Sequence, residues 1–243
     1  MTCGPSIVKD GLVFFIDAAD PNCFDGISGC KDLSSQGNNC TAFGNLKINS
    51  KFGSPGWNFT GYTGDYIKTN STIAFGRSFS YEIMLTTPGY SNGGNGYVSF
   101  CTSTNRHRIN LHMGFDNSPI FLGYDYGQWS KFSMSQMASG YGFMYIQTTM
   151  ENGTGKVWFS PKESGFSRAN TFNSGFVATG YFDGPWTGIG AVTRNESIEI
   201  GRLYDSTLPV SGSINFVRIY NRALSEGEVL QNYNAVKGRF NLQ

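Results

Sequence analysis

Charge is scarce in this chain: Asp, Glu, Lys and Arg make up 14% of its 243 residues, histidine occurs twice, and the formal net charge is +1. A nucleic-acid binder concentrates basic residues on one face. The nearest approach here is Arg106-His107-Arg108, which reads as the solvated edge of a strand. Nucleic acid is therefore not an expected partner. Long apolar runs are lacking too. The first spans only residues 12–16, and none nears the 18 residues of a membrane span. The N-terminus, Met-Thr-Cys-Gly-Pro, has no basic, apolar and small-residue regions of an export signal. The expectation is a chain without membrane insertion, made in a reducing compartment where thiols persist. Its five cysteines (Cys3, Cys23, Cys30, Cys40 and Cys101) are odd in number and match no zinc-ligand spacing. Cys23, Cys30 and Cys40 share one loop-rich stretch, which leaves a later disulfide open. The five Asn-x-Ser/Thr sequons, at Asn39, Asn58, Asn70, Asn152 and Asn195, read as polar turn chemistry in an unexported chain.

Glycine and aromatics are abundant: Gly 32, Phe 20 and Tyr 13. Glycine at that level, with strong helix formers sparse, points to short strands joined by tight turns. Aromatics bury the most area per residue and so can furnish a core. Along the chain, Gly11-Leu-Val-Phe-Phe-Ile16 reads as a buried strand. Residues 22–45 read as loop with one short strand. Trp57-Asn-Phe59 and Asp65-Tyr-Ile-Lys-Thr69 flank a Gly-Tyr-Thr-Gly turn, the signal of a hairpin. Phe79-Ser-Tyr-Glu-Ile-Met-Leu85 alternates, with Phe79, Tyr81, Ile83 and Leu85 on one face. Further short strands are expected to the Ser213-Ile-Asn-Phe-Val-Arg-Ile-Tyr220 run, with long loops at 86–95 and 166–195. One helix is signalled, near the end. Ser225-Glu-Gly-Glu228 is a capping box, Leu224 and Val229 occupy the staple positions, and Val229, Leu230 and Tyr233 form an apolar stripe. The pattern predicts an all-β sandwich of two antiparallel sheets with one short C-terminal helix. It forms a single domain over residues 1–243, with residues 1–10 as an N-terminal arm that could add a strand to a neighbour.

Residues 212–234, Gly-Ser-Ile-Asn-Phe-Val-Arg-Ile-Tyr-Asn-Arg-Ala-Leu-Ser-Glu-Gly-Glu-Val-Leu-Gln-Asn-Tyr-Asn, closely resemble the last strand and helix of concanavalin A-like lectin/glucanase domains of the laminin-G type. Leu12-Val-Phe-Phe-Ile-Asp-Ala is similar to their first strand. Lys31-Asp-Leu-Ser-Ser-Gln-Gly-Asn-Asn39 is similar to their Asp-Leu-Ser-Gly-Asn-Gly-Asn stretch, and Phe59-Thr-Gly-Tyr-Thr-Gly-Asp-Tyr-Ile67 to their Phe-x-Gly…Asp-Tyr-Ile segment. The resemblance implies a jelly-roll fold and reaches both ends of the chain, while residues 86–195 depart from it most. With its unsignalled N-terminus, its short opening Gly4-Pro5 segment and its Val229-Leu-Gln-Asn-Tyr-Asn234 ending, the variant looks most like copies in tailed-bacteriophage virion proteins, which decorate capsids or build tails and fibres.

That superfamily contains glucan hydrolases, whose retaining members need two carboxylates about 5–5.5 Å apart. They come from one strand as Glu-x-Asp-x-x-Glu or Glu-x-Asp-x-Glu, and no such string occurs here. Glu196 and Glu199 face opposite ways on one strand, and Glu82 has no acidic neighbour at Met84. His107 and His112 likewise face opposite sides. The chain is expected not to be an enzyme and to need no cofactor. The resemblance also implies a calcium ion at a sandwich rim, with Asp17, Asp20, Asp32 and Asp65 in the matching turns. The same carboxylates equally serve as turn caps accepting backbone N–H groups. For a ligand surface, Tyr124, Asp125, Tyr126 and Trp129 in one Gly-containing, loop-like stretch, and Asp183 and Trp186 in another, are the candidates. Aromatics of this kind serve a glycan or a protein partner alike. The expectation from sequence is a non-enzymatic virion structural protein, decorating a capsid or forming part of a tail, with virion proteins as multi-copy partners. The alternative is a free-standing lectin for a cell-surface glycan.

Overall fold

The computed structural model describes residues 6–50, 54–75, 78–86, 95–101, 107–113, 119–125, 128–133, 141–151, 154–163, 173–176, 181–182, 194–202 and 209–240. Side chains are described for 6–50, 54–74, 78–85, 197–202 and 209–240.

Strand β18 (Ser211–Tyr220) is covered on both faces, and every residue from Ser213 to Tyr220 is buried. A strand like this needs cover on both sides. One edge pairs with β8 (Phe79–Thr86). The other edge pairs first with β5 (Gly56–Thr60) and then with β1 (Leu12–Asp17). β13 (Tyr141–Glu151), β14 (Thr154–Glu163) and β15 (Asn173–Phe176) extend this sheet beyond β8, and β4 (Lys47–Asn49) extends it beyond β5.

The second sheet runs in the order β16 (Tyr181–Phe182), β12 (Gln128–Ser133), β11 (Pro119–Asp125), β10 (His107–Met113), β9 (Asn95–Cys101), β17 (Arg194–Ile200), β6 (Tyr66–Thr69), β3 (Cys40–Phe43) and β2 (Gly29–Cys30). A short β7 (Ile73–Phe75) also pairs with β17. The chain is thus a sandwich of two antiparallel sheets with a short C-terminal helix, as its sequence pattern predicts, in the jelly-roll form that the resemblance implies. Between the sheets lie Phe14, Trp57, Phe59, Phe79, Tyr81, Ile83, Leu85, Val217 and Ile219 from one side, and Ala42, Ile67, Ile198 and Ile200 from the other.

The hairpin expected over residues 57–69 does not form, because β5 and β6 belong to different sheets. The Gly61–Asp65 turn is an arch across the sandwich edge, with Gly61 at φ 85°. The Asp65 carboxylate fixes it by accepting from the Asn45 N–H (3.0 Å) and from the Thr60 N–H and hydroxyl. At Gly44 (φ 79°) a Cβ would run into that same carboxylate. Residues 22–45 hold two short strands, β2 and β3, rather than one. β15, β16 and the start of β17 fall within the stretch 166–195 that reads as a loop.

The face of β8 and β18 turned away from the core carries Ser80, Glu82, Met84, Phe216, Arg218 and Tyr220, all buried. Helix α1 (Glu226–Lys237) supplies the cover, and its capping box forms at Ser225 and Glu228 as the sequence requires. Its buried face is Val229, Asn232, Tyr233 and Val236. Leu230, expected in the apolar stripe, is 45% exposed, because at about 100° per residue it lies well off the face that Val229 and Val236 share. A polar residue takes part instead. Asn232 donates through Nδ2 to Glu82 (3.1 Å) and to the Tyr220 hydroxyl (2.9 Å), and accepts from the Val8 N–H (2.8 Å). Glu82 in turn accepts from Arg218 at 2.9 Å. Within the expected N-terminal arm, residues 6–10 therefore dock on their own helix, with Val8 buried, rather than projecting toward a neighbour.

Two outcomes follow for stability. Arg218→Met strands the buried Glu82 carboxylate and should cost about 3–5 kcal/mol in urea unfolding, while adding Glu82→Leu should recover most of it. Glu228 is held down to about 2, chiefly by the Arg222 guanidinium and then by Ser225. The folded value lies below the unfolded one, so this carboxylate stabilises fully above the ordinary value of 4.5 and loses its contribution as pH falls toward about 2. Glu228→Gln should flatten the fall of Tm across that window.

Candidate functional site

Alternation along β3, β6 and β17 points Cys40, Ala42, Ile67, Thr69, Ile198 and Ile200 into the sandwich and leaves Thr41, Phe43, Tyr66, Lys68 and Glu199 on the outer face. The registers Phe43↔Tyr66, Thr41↔Lys68 and Lys68↔Glu199 set these side chains in rows across three strands. In the first row Phe43 stacks on Tyr66 with ring centroids 4.5 Å apart and planes 8° from parallel. The Arg202 guanidinium lies 3.3 Å from the Tyr66 ring centre. Since β6 lies between β3 and β17, Phe43 and Arg202 flank the tyrosine from opposite sides.

Arg202 is itself held by Glu199 (3.0 Å) and by the Thr63 carbonyl (2.9 Å), and Lys68 reaches the other Glu199 oxygen at 3.1 Å. Two cations thus share one carboxylate that is 5% exposed. In the last row the Thr41 hydroxyl donates to Asn70 Oδ1 (2.7 Å), and the Asn70 N–H donates to the Asn39 carbonyl (2.8 Å).

This strip opens into a cleft of about 500 Å³ at the β2–β3 edge, lined by Asn22, Phe24, Asp25, Lys31, Asn39, Thr41 and Asn70 over a floor of Cys23, Cys30 and Cys40. Asp25 keeps its charge below the usual carboxylate range because the N–H groups of Ile27, Gly29 and Ser28 point at it. The three thiols are free and buried, with Cys30 and Cys40 directly opposed across β2 and β3. Burial pushes Cys23 up to about 12 and Cys40 higher still, so both stay protonated at neutral pH. They help pack the floor of the cleft. The cleft therefore presents amides, a hydroxyl, one carboxylate and one ammonium around a half-buried phenyl ring, which is equipment for binding.

Of the candidates read from the sequence, Tyr124, Asp125 and Trp129 sit toward the other edge of the same sheet. Tyr124 and Asp125 end β11 and Trp129 lies in β12, so these positions are on strands rather than in a loop, with Tyr124 paired to Trp129 and Asp125 to Gln128. Tyr126, Asp183 and Trp186 lie outside the described residues. The backbone still brings the two stretches together, because β16 (Tyr181–Phe182) pairs with Ser130 and Lys131 of β12. From β3 to β12 is six strand spacings, roughly 29 Å along the sheet.

The four aspartates weighed for calcium are engaged otherwise. Asp17 takes a two-pronged contact from Arg239 (2.6 and 2.9 Å) and accepts from the Ala19 N–H. Asp20 caps Asn22, and Asp65 holds the arch. Asp32 accepts from the N–H groups of Phe15, Ser34 and Asn38 and from the Ser34 hydroxyl. Among the described residues no three His, Cys, Asp or Glu side chains are grouped to hold a metal. A guanidinium on Asp17 and four donors on Asp32 do not fit a calcium cage.

Gly89-Tyr-Ser-Asn-Gly93 has the Gly-x-Ser-x-Gly spacing of an esterase elbow, though residues 87–94 lie outside the described set. The elbow needs a strand followed by a helix. Here β8 precedes the motif and β9 begins at Asn95, so the required context is missing.

No protein-family model and no curated protein matches this chain. Solved structures do. Over 92% of this chain and 98% of the other, it is similar to domain 4 of AbnA, a GH43 extracellular arabinanase from Geobacillus stearothermophilus solved in complex with arabinotriose, at 14% identity and a TM-score of 0.60. It is similar to a Trypanosoma rangeli sialidase at 15% identity and a TM-score of 0.59, covering 94% of this chain but 33% of that one. The binding domain of botulinum neurotoxin serotype D gives a TM-score of 0.61 at 10% identity, over 95% of this chain and 52% of the other. At these identities the likeness establishes the β-sandwich fold.

The aspartate geometry sets an expected outcome. Asp32→Ala strips acceptors from three backbone N–H groups and should cost roughly 3 kcal/mol in denaturant unfolding. Tm should be the same in excess chelator as in millimolar calcium, and a calcium-dependent rise would reveal a site these carboxylates do not form.

Proposed function

We propose that this chain is a non-catalytic glycan-recognition module. The observation that carries this reading is the outer-face strip of the second sheet, where a 38%-exposed Phe43 ring is held by a stack and continues into amide, hydroxyl and cleft chemistry. Sugars present both apolar C–H faces and hydroxyl edges, so an aromatic beside amides answers both. Similarity to a domain solved with arabinotriose, and to part of a sialidase, supports the same reading.

The acids support the non-catalytic half. Glu82 is fully buried against Arg218 and Asn232, and Glu199 is committed to Lys68 and Arg202. Neither is free to protonate a leaving group or attack an anomeric carbon, and a retaining glycosidase needs two such groups together.

A second reading concerns where the module works. The resemblance of the opening Gly4-Pro5 segment and the Val229-Leu-Gln-Asn-Tyr-Asn234 ending to virion copies of this fold favours carriage on a tailed-phage particle, in many copies, as capsid decoration or a tail part. Glycan recognition is compatible with that placement. Peptide mass spectrometry of purified particles tests it, and absence of the chain from them would retire it.

The recognition reading predicts saturable binding of the purified chain to at least one class on a glycan array, together with no reducing-sugar release from a polysaccharide panel. No binding on the array would overturn recognition, and sugar release would overturn the non-catalytic half.

A further inference from the structure

Resting on the glycan reading, we infer that the sugar seats on the outer face of β3 and β6. A neutral pyranose ring stacks on Phe43, and its neighbouring ring takes hydrogen bonds from the Thr41, Asn70 and Asn39 group that leads into the cleft.

Three observations place it there. The first is an open ring face. The β2 chain follows β3 as far as the Ala42 N–H, which donates to the Ser28 carbonyl (2.7 Å), and Phe43 at the end of β3 remains 38% exposed. The covered side is fixed by the Tyr66–Arg202 stack, so the ring is already ordered and docking a ligand on it costs little side-chain entropy.

The second is spacing. Phe43, Thr41 and Asn39 follow every second residue along an extended backbone, about 13 Å from end to end. That span suits a short oligosaccharide better than a single ring. At its far end the Thr41 hydroxyl donates to Asn70 Oδ1, the Asn70 backbone N–H donates to the Asn39 carbonyl, and Asn39 Oδ1 accepts from the Asp32 N–H (3.0 Å), so the groups this end offers a ligand are the Asn39 and Asn70 Nδ2 donors and the second lone pair of the Thr41 hydroxyl.

The third is charge. Lys68 and Arg202 are both drawn onto Glu199, and Arg202 has one face spent on Tyr66. A carboxylated or sialylated sugar is met most strongly by a bidentate guanidinium facing it. On the strip itself the cations are compensated and the other groups are neutral, and the cleft beyond sets the Lys31 ammonium against the Asp25 carboxylate, so the surface carries little net charge and favours hydroxyl-rich, uncharged glycans.

The test uses the full chain made in a host without N-glycosylation, since Asn39 and Asn70 both head sequons. Affinity for the glycans found on the array is measured for wild type, Phe43→Ala, Phe43→Trp and Trp129→Ala, with Tm recorded for each. The expected result is neutral-glycan binding weakened about tenfold or more by Phe43→Ala, preserved by Phe43→Trp and unaffected by Trp129→Ala, at unchanged Tm. Should Phe43→Ala lower Tm, Thr41→Val supplies the second variant, with weaker binding expected. Wild-type binding that survives both Phe43→Ala and Thr41→Val, or is lost only in Trp129→Ala, overturns this placement and leaves the glycan reading intact. Binding confined to acidic glycans overturns the neutral class. No binding by wild type to any glycan overturns both.

Discussion

A carboxylate and a guanidinium paired in the middle of a sheet, on the face turned away from the core, set the terms for the rest of this structure. Glu82 and Arg218 are cross-strand partners on β8 and β18, and neither is exposed by more than 3%. Two ions taken out of water recover their hydration only if every remaining donor and acceptor is met. That requirement dictates what lies above them. Asn232 of α1 must reach the second Glu82 oxygen, which fixes the rotation of the helix, because a slip of one residue would turn the amide about 100° away. The other end of the same amide holds Val8, so the N-terminal segment is placed by the same contact. Phe15 and Phe216 lie 4.6 and 4.5 Å from the guanidinium and shield it. A pair of this kind adds little stability over apolar residues of equal volume, so its effect is on register, whereas Phe216, Tyr233, Val236 and Phe240 around it contribute the burial energy.

This division explains what the sequence discloses. Strict alternation over Phe79 to Leu85 reads directly, because period-2 burial is local information. So does the capping box at Ser225, where both partners lie within three residues. Leu230 misleads because three apolar residues near one another in a helix look like a stripe until the angle between them is fixed. Asn232 does not register as core at all, since its partners Glu82, Tyr220 and Val8 come from three distant parts of the chain. The 57–69 segment reads as a hairpin because turn chemistry reports only that the chain reverses. Whether it reverses within one sheet or crosses to the other is decided by Asp65 meeting Asn45, a contact between separate turns.

The candidate site was legible in pieces only. Thr41 and Asn39 sit in a polar stretch that reads as loop, and Phe43 is a single aromatic without a local motif. Their meaning comes from Tyr66 and Arg202, 23 and 159 residues further on, brought alongside by strand order. The richer aromatic stretches around Trp129 draw attention in sequence because their aromatics are neighbours in the chain. The structure gathers those segments at one edge of the sheet and assembles the Phe43 strip at the other. The aspartates of the family-like turns show the opposite case. Asp17, Asp32 and Asp65 are legible as turn residues, and their backbone hydrogen bonds confirm that function.

The two sheets carry different obligations, and this locates the binding face. The outer face of the first sheet at β1, β8 and β18 is closed by the helix and the N-terminal segment, so no ligand can reach it without unseating Asn232 from Glu82. The outer face of the second sheet at β3, β6 and β17 has no such cover among the described residues, yet its side chains are not loose. Glu199 would be an isolated carboxylate without Lys68 and Arg202. Drawing Arg202 onto it presses the guanidinium against Tyr66, and Tyr66 in turn supports Phe43. Each contact removes freedom from the next residue, and the last ring in the series is the one left open to solvent. An aromatic ordered in that way, on a strand rather than a loop, meets a ligand with its conformational cost already met by folding, which is the physical basis for reading this face as a recognition surface.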